Sequence, residues 1–283
     1  MRRTLFSITI LCTLVVSGQS NLQNYTPSIL FDKGDWEFKS FQNLYTQSKS
    51  FDAGGRKVAT GQTDHFFTSI NQFLFGVSDQ INVGVDVWVK HSNTSLDGLA
   101  SQTAITGFGP KIKIAPIKRL PRLSLQSTLL FNFADLAEGD ANHYFLETDA
   151  TLWLNQLFFD LPLNEKSQLF FQQAFWYRFV KDGSFAGNNF LQTQTSIFYS
   201  YFPTSRWTLY GMTEYFPTHY NPDDAVEQAE AFFSYFIQSG VGVKYQLIPN
   251  LIELEALYTN FWNGSEGQGA GETINLGIRV IHQ

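Results

Sequence analysis

The sequence contains a single cysteine, Cys12, among its 283 residues. Cys12 lies within the first 20 residues, which we expect to be removed on export. Disulfide bonds therefore cannot hold the rest of the chain together, and a disulfide-stapled secreted domain is excluded. Leu11 precedes Cys12 where a lipoprotein signal carries a small residue, so the sequence does not indicate a lipid anchor.

Basic residues are scarce as well. The chain carries 19 Lys and Arg against 25 Asp and Glu, a net charge of -6. Nucleic-acid binding depends on a basic surface that neutralises phosphates. We therefore expect no nucleic-acid partner.

The sequence also lacks an apolar run long enough for a membrane-spanning helix, which needs about 20 residues. Its longest apolar run covers residues 5–16, follows Arg2 and Arg3, and is followed by small residues around Gly18 and Ser20. This order is typical of a secretory signal. Residues 1–20 are therefore predicted to be a signal peptide that is cleaved near Gly18 or Ser20.

The chain does contain strictly alternating segments. Residues 81–90 place five β-branched side chains on one face of a strand and Asn, Gly, Asp, Trp and Lys on the other. Similar segments recur along the chain, joined alternately by short turns and by longer polar loops. This pattern is typical of a transmembrane β-barrel, which is apolar toward lipid and polar toward its lumen.

We predict an all-β fold: one antiparallel, up-and-down transmembrane barrel of about 12 strands, with 10 to 14 possible. Residues 21–35 are predicted to be an irregular periplasmic segment, and residues 36–283 the barrel. The predicted strands are 36–50, 63–77, 81–91, 103–117, 123–133, 143–158, 168–179, 189–201, 207–216, 230–245, 251–262 and 272–282.

Strand phase then predicts which side chains face lipid. The sets are Leu123, Leu125, Leu129 and Phe131; Leu146, Ala150, Leu152 and Leu154; Val241 and Val243; Ile252, Leu254, Ala256 and Tyr258; Ile274, Leu276, Ile278 and Val280. Two places conflict with simple alternation. Trp36 and Phe38 disagree in phase with Phe41 and Tyr45, and Phe66 and Phe67 are adjacent, so we expect a β-bulge in each of these two strands.

The opposite phase predicts the lumen lining. The candidate lining residues are Asp86, Trp88, Lys90, Lys111, Lys113, Gln126, Glu147, Asp149, Arg178, Glu214, Lys244, Glu253, Glu255 and Arg279. With Glu37 and Lys39, which share this phase, seven acids oppose seven bases. Buried charges must be paired or hydrated. The set fits either a polar pore lining or a salt-bridged interior that nearly plugs the barrel.

Other predicted inward residues are the amides Asn132, Asn155, Gln192, Gln194 and Asn275 and the aromatics Trp153, Trp176, Tyr210, Phe232 and Phe236. The rings could form a binding surface for an apolar or aromatic solute, or simply fill space.

An enzyme of the barrel class would need a Ser and a His within hydrogen-bond reach. His91 and Ser92 are adjacent and so point to opposite faces of a strand, and His65, His143, His219 and His282 have no evident Ser partner in the sequence. No His or Cys pair has metal-ligand spacing, and no Gly-rich phosphate loop follows a strand. We expect no catalytic site, no metal and no cofactor.

Several hairpins resemble one outer-membrane family. Residues 73–84 (FLFGVSDQINVG) are similar to a characteristic hairpin of the meta-pathway of phenol degradation proteins, which are often called transporters, and residues 201–207 and 274–279 are similar to later hairpins of such barrels. The resemblance implies a monomeric or loosely associated outer-membrane barrel that passes small hydrophobic compounds passively. It supplies no catalytic residue.

The sequence thus favours a passive channel for small, hydrophobic or aromatic solutes in a Gram-negative outer membrane. Its expected partners are outer-membrane lipid, lipopolysaccharide, the barrel-assembly machinery and a small-molecule solute. The alternatives are a non-transporting structural or surface-binding barrel and a lipid-modifying enzyme.

Overall fold

A computed structural model describes residues 27–94, 100–134, 145–181, 189–220 and 233–282. The predicted signal peptide lies outside these residues, as does Phe232. Within the described residues, no helix is long and apolar enough to span a membrane.

The described chain forms a closed antiparallel barrel, which confirms the predicted fold. Each strand pairs with its neighbour in sequence, and the first strand closes the sheet by pairing with the last from Trp36 opposite His282 to Thr46 opposite Glu272. The strands are β1 (Trp36–Phe51), β2 (Lys57–Ser78), β3 (Ile81–Asn93), β4 (Gln102–Ile114), β5 (Leu123–Leu130), β6 (Ala150–Asn164), β7 (Ser167–Val180), β8 (Phe190–Tyr201), β9 (Trp207–Tyr220), β10 (Phe233–Ile248), β11 (Ile252–Gly264) and β12 (Glu272–His282).

The two ends of the barrel differ in the length of the connections between strands. The connections 79–80, 115–122, 165–166, 202–206 and 249–251 share one end with the start of β1 and the end of β12. Most connections at the other end are longer, and the longest of them spans residues 131–149. We call these the short-turn end and the long-loop end.

The two faces of the wall follow the pleat of the strands. On β11 and β12, Leu254, Tyr258, Ile274, Leu276 and Ile278 are exposed on the outer face, while Glu253 and Arg279 are buried inside. The sets predicted on β5, β10, β11 and β12 fall on this outer face, because alternate residues of a strand point to opposite sides.

The predicted phase of β6 was wrong. Ala150, Leu152 and Leu154 are buried inside the barrel, and Leu152 and Leu154 cluster with Trp88 and Leu130. Trp153 was predicted inward, but it is exposed on the outer face, where its indole Nε1 donates to Ser127 Oγ at 3.0 Å. Both faces of β6 are apolar, because the inner wall carries an apolar cluster here. Polarity therefore gave no information about phase.

Two other assignments shift with this correction. Asn155, predicted inward, lies opposite the outward residue Phe175, and Leu146, predicted to face lipid, is fully buried in the connection before β6. The strand itself begins at Ala150 and runs to Asn164, later than predicted, and the turn after it is only 165–166.

The two expected bulges are also absent from their predicted positions in the described strands. The pairing of β1 with β2 runs unbroken from Trp36 to Gln47, and the register shifts only between Gln47 and Lys49. A regular pleat turns Tyr45 inward against the ring of Phe66. The apparent conflict in the sequence arose because aromatic rings occupy both faces of these strands.

Residues 27–35 precede β1 and pack inside the short-turn end. Phe31 is buried against Leu74 of β2 and Ile281 of β12, and its backbone N–H and C=O bond the side-chain amide of Asn82, each at 3.2 Å. Lys113 Nζ donates to the carbonyl oxygens of Pro27 and Ile29, both at 2.7 Å. The segment therefore occupies part of the lumen at this end.

Candidate functional site

The barrel encloses a cavity of about 1270 Å³, which runs along the lumen from Pro27 to the loop residue Glu147. Its lining combines aromatic rings, amides and a few charged groups. The volume exceeds that of a typical small-molecule pocket. The cavity is therefore the candidate functional site.

The predicted lining residues divide into two groups. Those that line the cavity itself are Trp88, Lys90, Glu147, Asp149, Arg178, Lys244 and Glu255. The second group lies on the inner wall, in contact with other inward side chains or with the backbone of the segment before β1: Asp86, Lys111, Lys113, Gln126, Glu214, Glu253 and Arg279.

Charged groups near the short-turn end form an extended ion-pair network. Arg279 Nε contacts Glu37 Oε2 at 2.5 Å, and Lys39 Nζ contacts the other oxygen of Glu37 at 2.7 Å. Arg279 also approaches Glu253 at 3.9 Å. Because the cations share their carboxylates, charge at this end is largely neutralised within the wall itself.

The network continues along the wall through β10 and β11. Lys244 Nζ lies 3.3 Å from Glu255 and 3.8 Å from Glu253, and the Tyr210 hydroxyl donates to Glu255. Gly242 makes room for the Tyr210 ring, because a Cβ there would fall 2.3 Å from Tyr210 Cζ. A glycine in β10 thus allows an aromatic ring to reach a charged pair.

Two further acids are held differently. Asp86 and Lys111 form a separate buried pair at 2.5 Å, and Gln72 donates to the second Asp86 oxygen at 2.9 Å. Glu214 instead accepts hydrogen bonds from Ser196 at 2.9 Å and from the Gln238 amide at 2.7 Å. Amides can satisfy a buried carboxylate without adding charge to the lumen.

A belt of aromatic rings circles the lumen near the long-loop end. Trp88 and Trp176 meet at 5.7 Å, Trp176 and Phe216 at 6.1 Å, and Phe216 stacks on Phe236 at 5.0 Å. The belt continues from Phe236 through Phe261, Tyr45 and Phe66 to Phe145. Aromatic pairs at these separations attract one another.

A second row of rings lies on the same wall. Phe158, Phe170, Phe198 and Tyr210 follow one another across β6 to β9 at centroid separations of 5.4 to 6.2 Å. Sequence reasoning found Trp88, Trp176, Tyr210 and Phe236 but missed the other rings. The missing signal was strict alternation through β1 and β2, which assigns Tyr45 and Phe66 to the lumen without any bulge.

The mouth at the long-loop end carries a three-residue ion cluster. Glu147, in the connection before β6, contacts Lys90 Nζ of β3, and its other oxygen lies 2.8 Å from Arg178 of β7. Burial alone would raise the pKa of Glu147, but the positive charges of Arg178 and Lys90 outweigh it and lower the pKa to about 2. Glu147 is therefore ionised at neutral pH.

One histidine does have a serine neighbour, contrary to the sequence-based expectation. His91 Nδ1 lies 2.8 Å from Thr103 Oγ1, and His91 Nε2 lies 3.3 Å from Ser101 Oγ. Ser101 and Thr103 are exposed and His91 is half-buried, and the third group is a neutral hydroxyl rather than the carboxylate that stabilises a catalytic imidazolium. The contact links the start of β4 to β3.

Among the described residues, no group of three or more His, Cys, Asp or Glu side chains could hold a metal ion.

Comparison with known proteins finds similarity in structure only. No family model matches the chain, and no curated protein matches it. The COG4313 outer membrane channel from Pseudomonas putida F1 superposes with a TM-score of 0.70 over 92% of this chain and 100% of that one, at 10% identity. At this identity the likeness shows the fold: a closed barrel of the outer-membrane type.

Two further solved structures are similar over most of their length but superpose less well. A FadL homologue from Pseudomonas aeruginosa gives a TM-score of 0.42 at 10% identity, covering 94% of this chain and 95% of that one. The translocator domain of the autotransporter NalP from Neisseria meningitidis gives 0.46 at 9% identity, covering 99% and 95%.

Proposed function

We propose that this chain is an outer-membrane β-barrel that allows small apolar or aromatic solutes to cross passively. The observation that carries the proposal is the aromatic belt on the wall of a cavity of about 1270 Å³. Stacked and edge-on rings offer an apolar solute repeated weak contacts, which allow binding and release along a path.

The outer face supports insertion in lipid. Val85, Leu254 and Leu276 are exposed there, and strands that pair all round leave no sheet edge in the hydrocarbon. Barrels of this kind keep short turns in the periplasm and long loops outside the cell. The start of β1 and the end of β12 then lie on the periplasmic side. Lipopolysaccharide and lipid surround the wall, and the barrel-assembly machinery inserts the chain.

Two observations favour apolar over hydrophilic solutes. The charged side chains near the short-turn end neutralise one another, and residues 27–35 fill part of that end. The COG4313 protein with the same fold is an outer membrane channel, and the hairpin at residues 73–84 resembles the phenol-degradation family. We propose more specifically that the chain takes up aromatic compounds.

Cells with an intact outer membrane provide the test. The aromatic dye N-phenyl-1-naphthylamine should enter cells that express the chain faster than it enters cells without it, because lipopolysaccharide excludes the dye. A Trp176→Gln/Phe216→Gln variant, which interrupts the aromatic belt, should lose most of the gain. Liposome swelling in a neutral sugar should remain slow.

Equal dye entry with and without the chain, together with no conductance in a planar bilayer, would contradict the proposal. A non-transporting structural barrel would then account for the fold.

A further inference from the structure

The ion cluster at the mouth has the composition of an occupied binding site. Lys90 and Arg178 rise from β3 and β7, which are separated in the wall by β4, β5 and β6. Glu147 belongs to neither strand and reaches them from the connection 131–149. One loop carboxylate therefore joins two cations that the barrel wall itself supplies.

The two cations are built into the wall. The Lys90 and Arg178 side chains are only 14% and 7% exposed, compared with 37% for Glu147. Arg178 Nε donates to Gln192 Oε1 at 2.9 Å, and its guanidinium lies 5.6 Å from the Phe190 ring centre. These contacts orient the guanidinium with or without Glu147, and two buried like charges require an anion between them.

Glu147 is suited to act as a replaceable occupant. Its φ is 54°, in the left-handed region that a residue with a Cβ seldom adopts. It is also the most exposed member of the cluster and approaches from the mouth. A solute carboxylate that took its place would keep both cations paired and would release the strained backbone.

The floor below the cations is aromatic. β3 and β7 both run toward the long-loop end, so Trp88 lies one inward position below Lys90, and Trp176 lies one inward position below Arg178. The two indoles meet edge to face at 5.7 Å and pack on Leu152 and Leu154. A ligand whose carboxylate reached the cations would place its body against these rings.

We infer that Lys90 and Arg178 bind the carboxylate of an aromatic carboxylic acid, and that Glu147 fills this site until such a solute arrives. The inference rests on the proposed channel function and names a solute class for it. Binding of such a solute displaces Glu147 from both cations, so the solute and Glu147 compete for one site.

Calorimetry on the purified chain in detergent tests the site with benzoate and with benzyl alcohol, its neutral counterpart. Wild type should bind benzoate at least tenfold more tightly than benzyl alcohol. Glu147→Gln should tighten benzoate binding about tenfold, because it removes the competing charge, and should leave benzyl alcohol unchanged. Arg178→Gln should abolish the preference for benzoate.

Asp52→Asn is the matched control. Asp52 is also a loop carboxylate at the long-loop end and also pairs with a basic residue, Arg56, at 3.1 Å, but it does not line the cavity. Its removal should leave benzoate affinity at the wild-type value. Heat-modifiable migration in gels shows that each variant has folded, and the two-ligand comparison in wild type requires no variant.

Equal affinity for benzoate and benzyl alcohol in wild type would overturn the inference, as would benzoate affinity that does not respond to Glu147→Gln. Faster dye entry in cells combined with either result would leave the channel proposal standing without this site. Failure of both dye entry and conductance would remove the channel proposal itself.

Discussion

The outer and inner faces of the barrel wall obey different rules. The outer face is apolar along most of its height, as on β12, where Ile274, Leu276 and Ile278 follow one another. The inner face mixes the Asp86–Lys111 pair with aromatic rings and apolar clusters. A face that meets one solvent needs one kind of residue, whereas a face that meets the opposite wall needs a partner for each side chain.

The largest expected loss of stability comes from removing the partner of a charged side chain on the inner face. Lys111→Met should lower the free energy of unfolding by about 3–5 kcal/mol, because it leaves Asp86 charged and buried without its cation. Urea unfolding in liposomes measures the loss. The double variant Asp86→Asn/Lys111→Met should recover most of it, and a double variant as unstable as the single one would show that the pair is not the cause.

The next largest loss of stability comes from placing a charge on the apolar outer face. Leu254→Arg should cost about 2–4 kcal/mol near mid-membrane, since neither water nor a partner solvates the charge there. Gln126→Arg on the inner face is the control and should be much milder. Equal losses at the two positions would mean that the inner face is as dry as the outer one.

A smaller effect is expected from the inner-face contact that holds residues 27–35 at the short-turn end. Lys113→Ala removes the ammonium that donates to the carbonyls of Pro27 and Ile29. A hydrogen bond to a charged group contributes about 1.5–3 kcal/mol to the stability of the contact. We expect residues 27–35 to be held less firmly and single-channel conductance to rise. Lys244→Ala, which does not contact that segment, should not produce the same rise.

The smallest effect is expected at the contact of His91 with Ser101, between β3 and the start of β4. His91→Ala and Ser101→Ala should each change stability by no more than about 0.5 kcal/mol, because their hydrogen bonds lie in solvent. Purified wild type should not hydrolyse phospholipid. Hydrolysis that disappears in both variants would assign this contact a catalytic role.

The same contrast explains what could be predicted from the sequence. On β5 and β12 the two faces differ in polarity, so alternation gave the correct phase. On β6 both faces are apolar, and only packing against Trp88 and against Leu130 of the neighbouring strand β5 shows which one is inside. Most candidate lining residues were assigned from strand phase, but Glu147 and Asp149 lie in the connection before β6, where strand phase does not apply. The pairing of Glu147 with Lys90 and Arg178 depends on a loop path that no periodicity encodes.

The burial of Phe31 also makes residues 27–35 an indicator of barrel assembly. Its two main apolar neighbours, Leu74 and Ile281, belong to β2 and β12, which flank β1 in the sheet. That pocket exists only after the seam between the first and last strands has closed. A protease should therefore cut residues 27–35 in every unfinished barrel and spare them in finished ones, so that cleavage of the segment before β1 reports whether the last strand has paired.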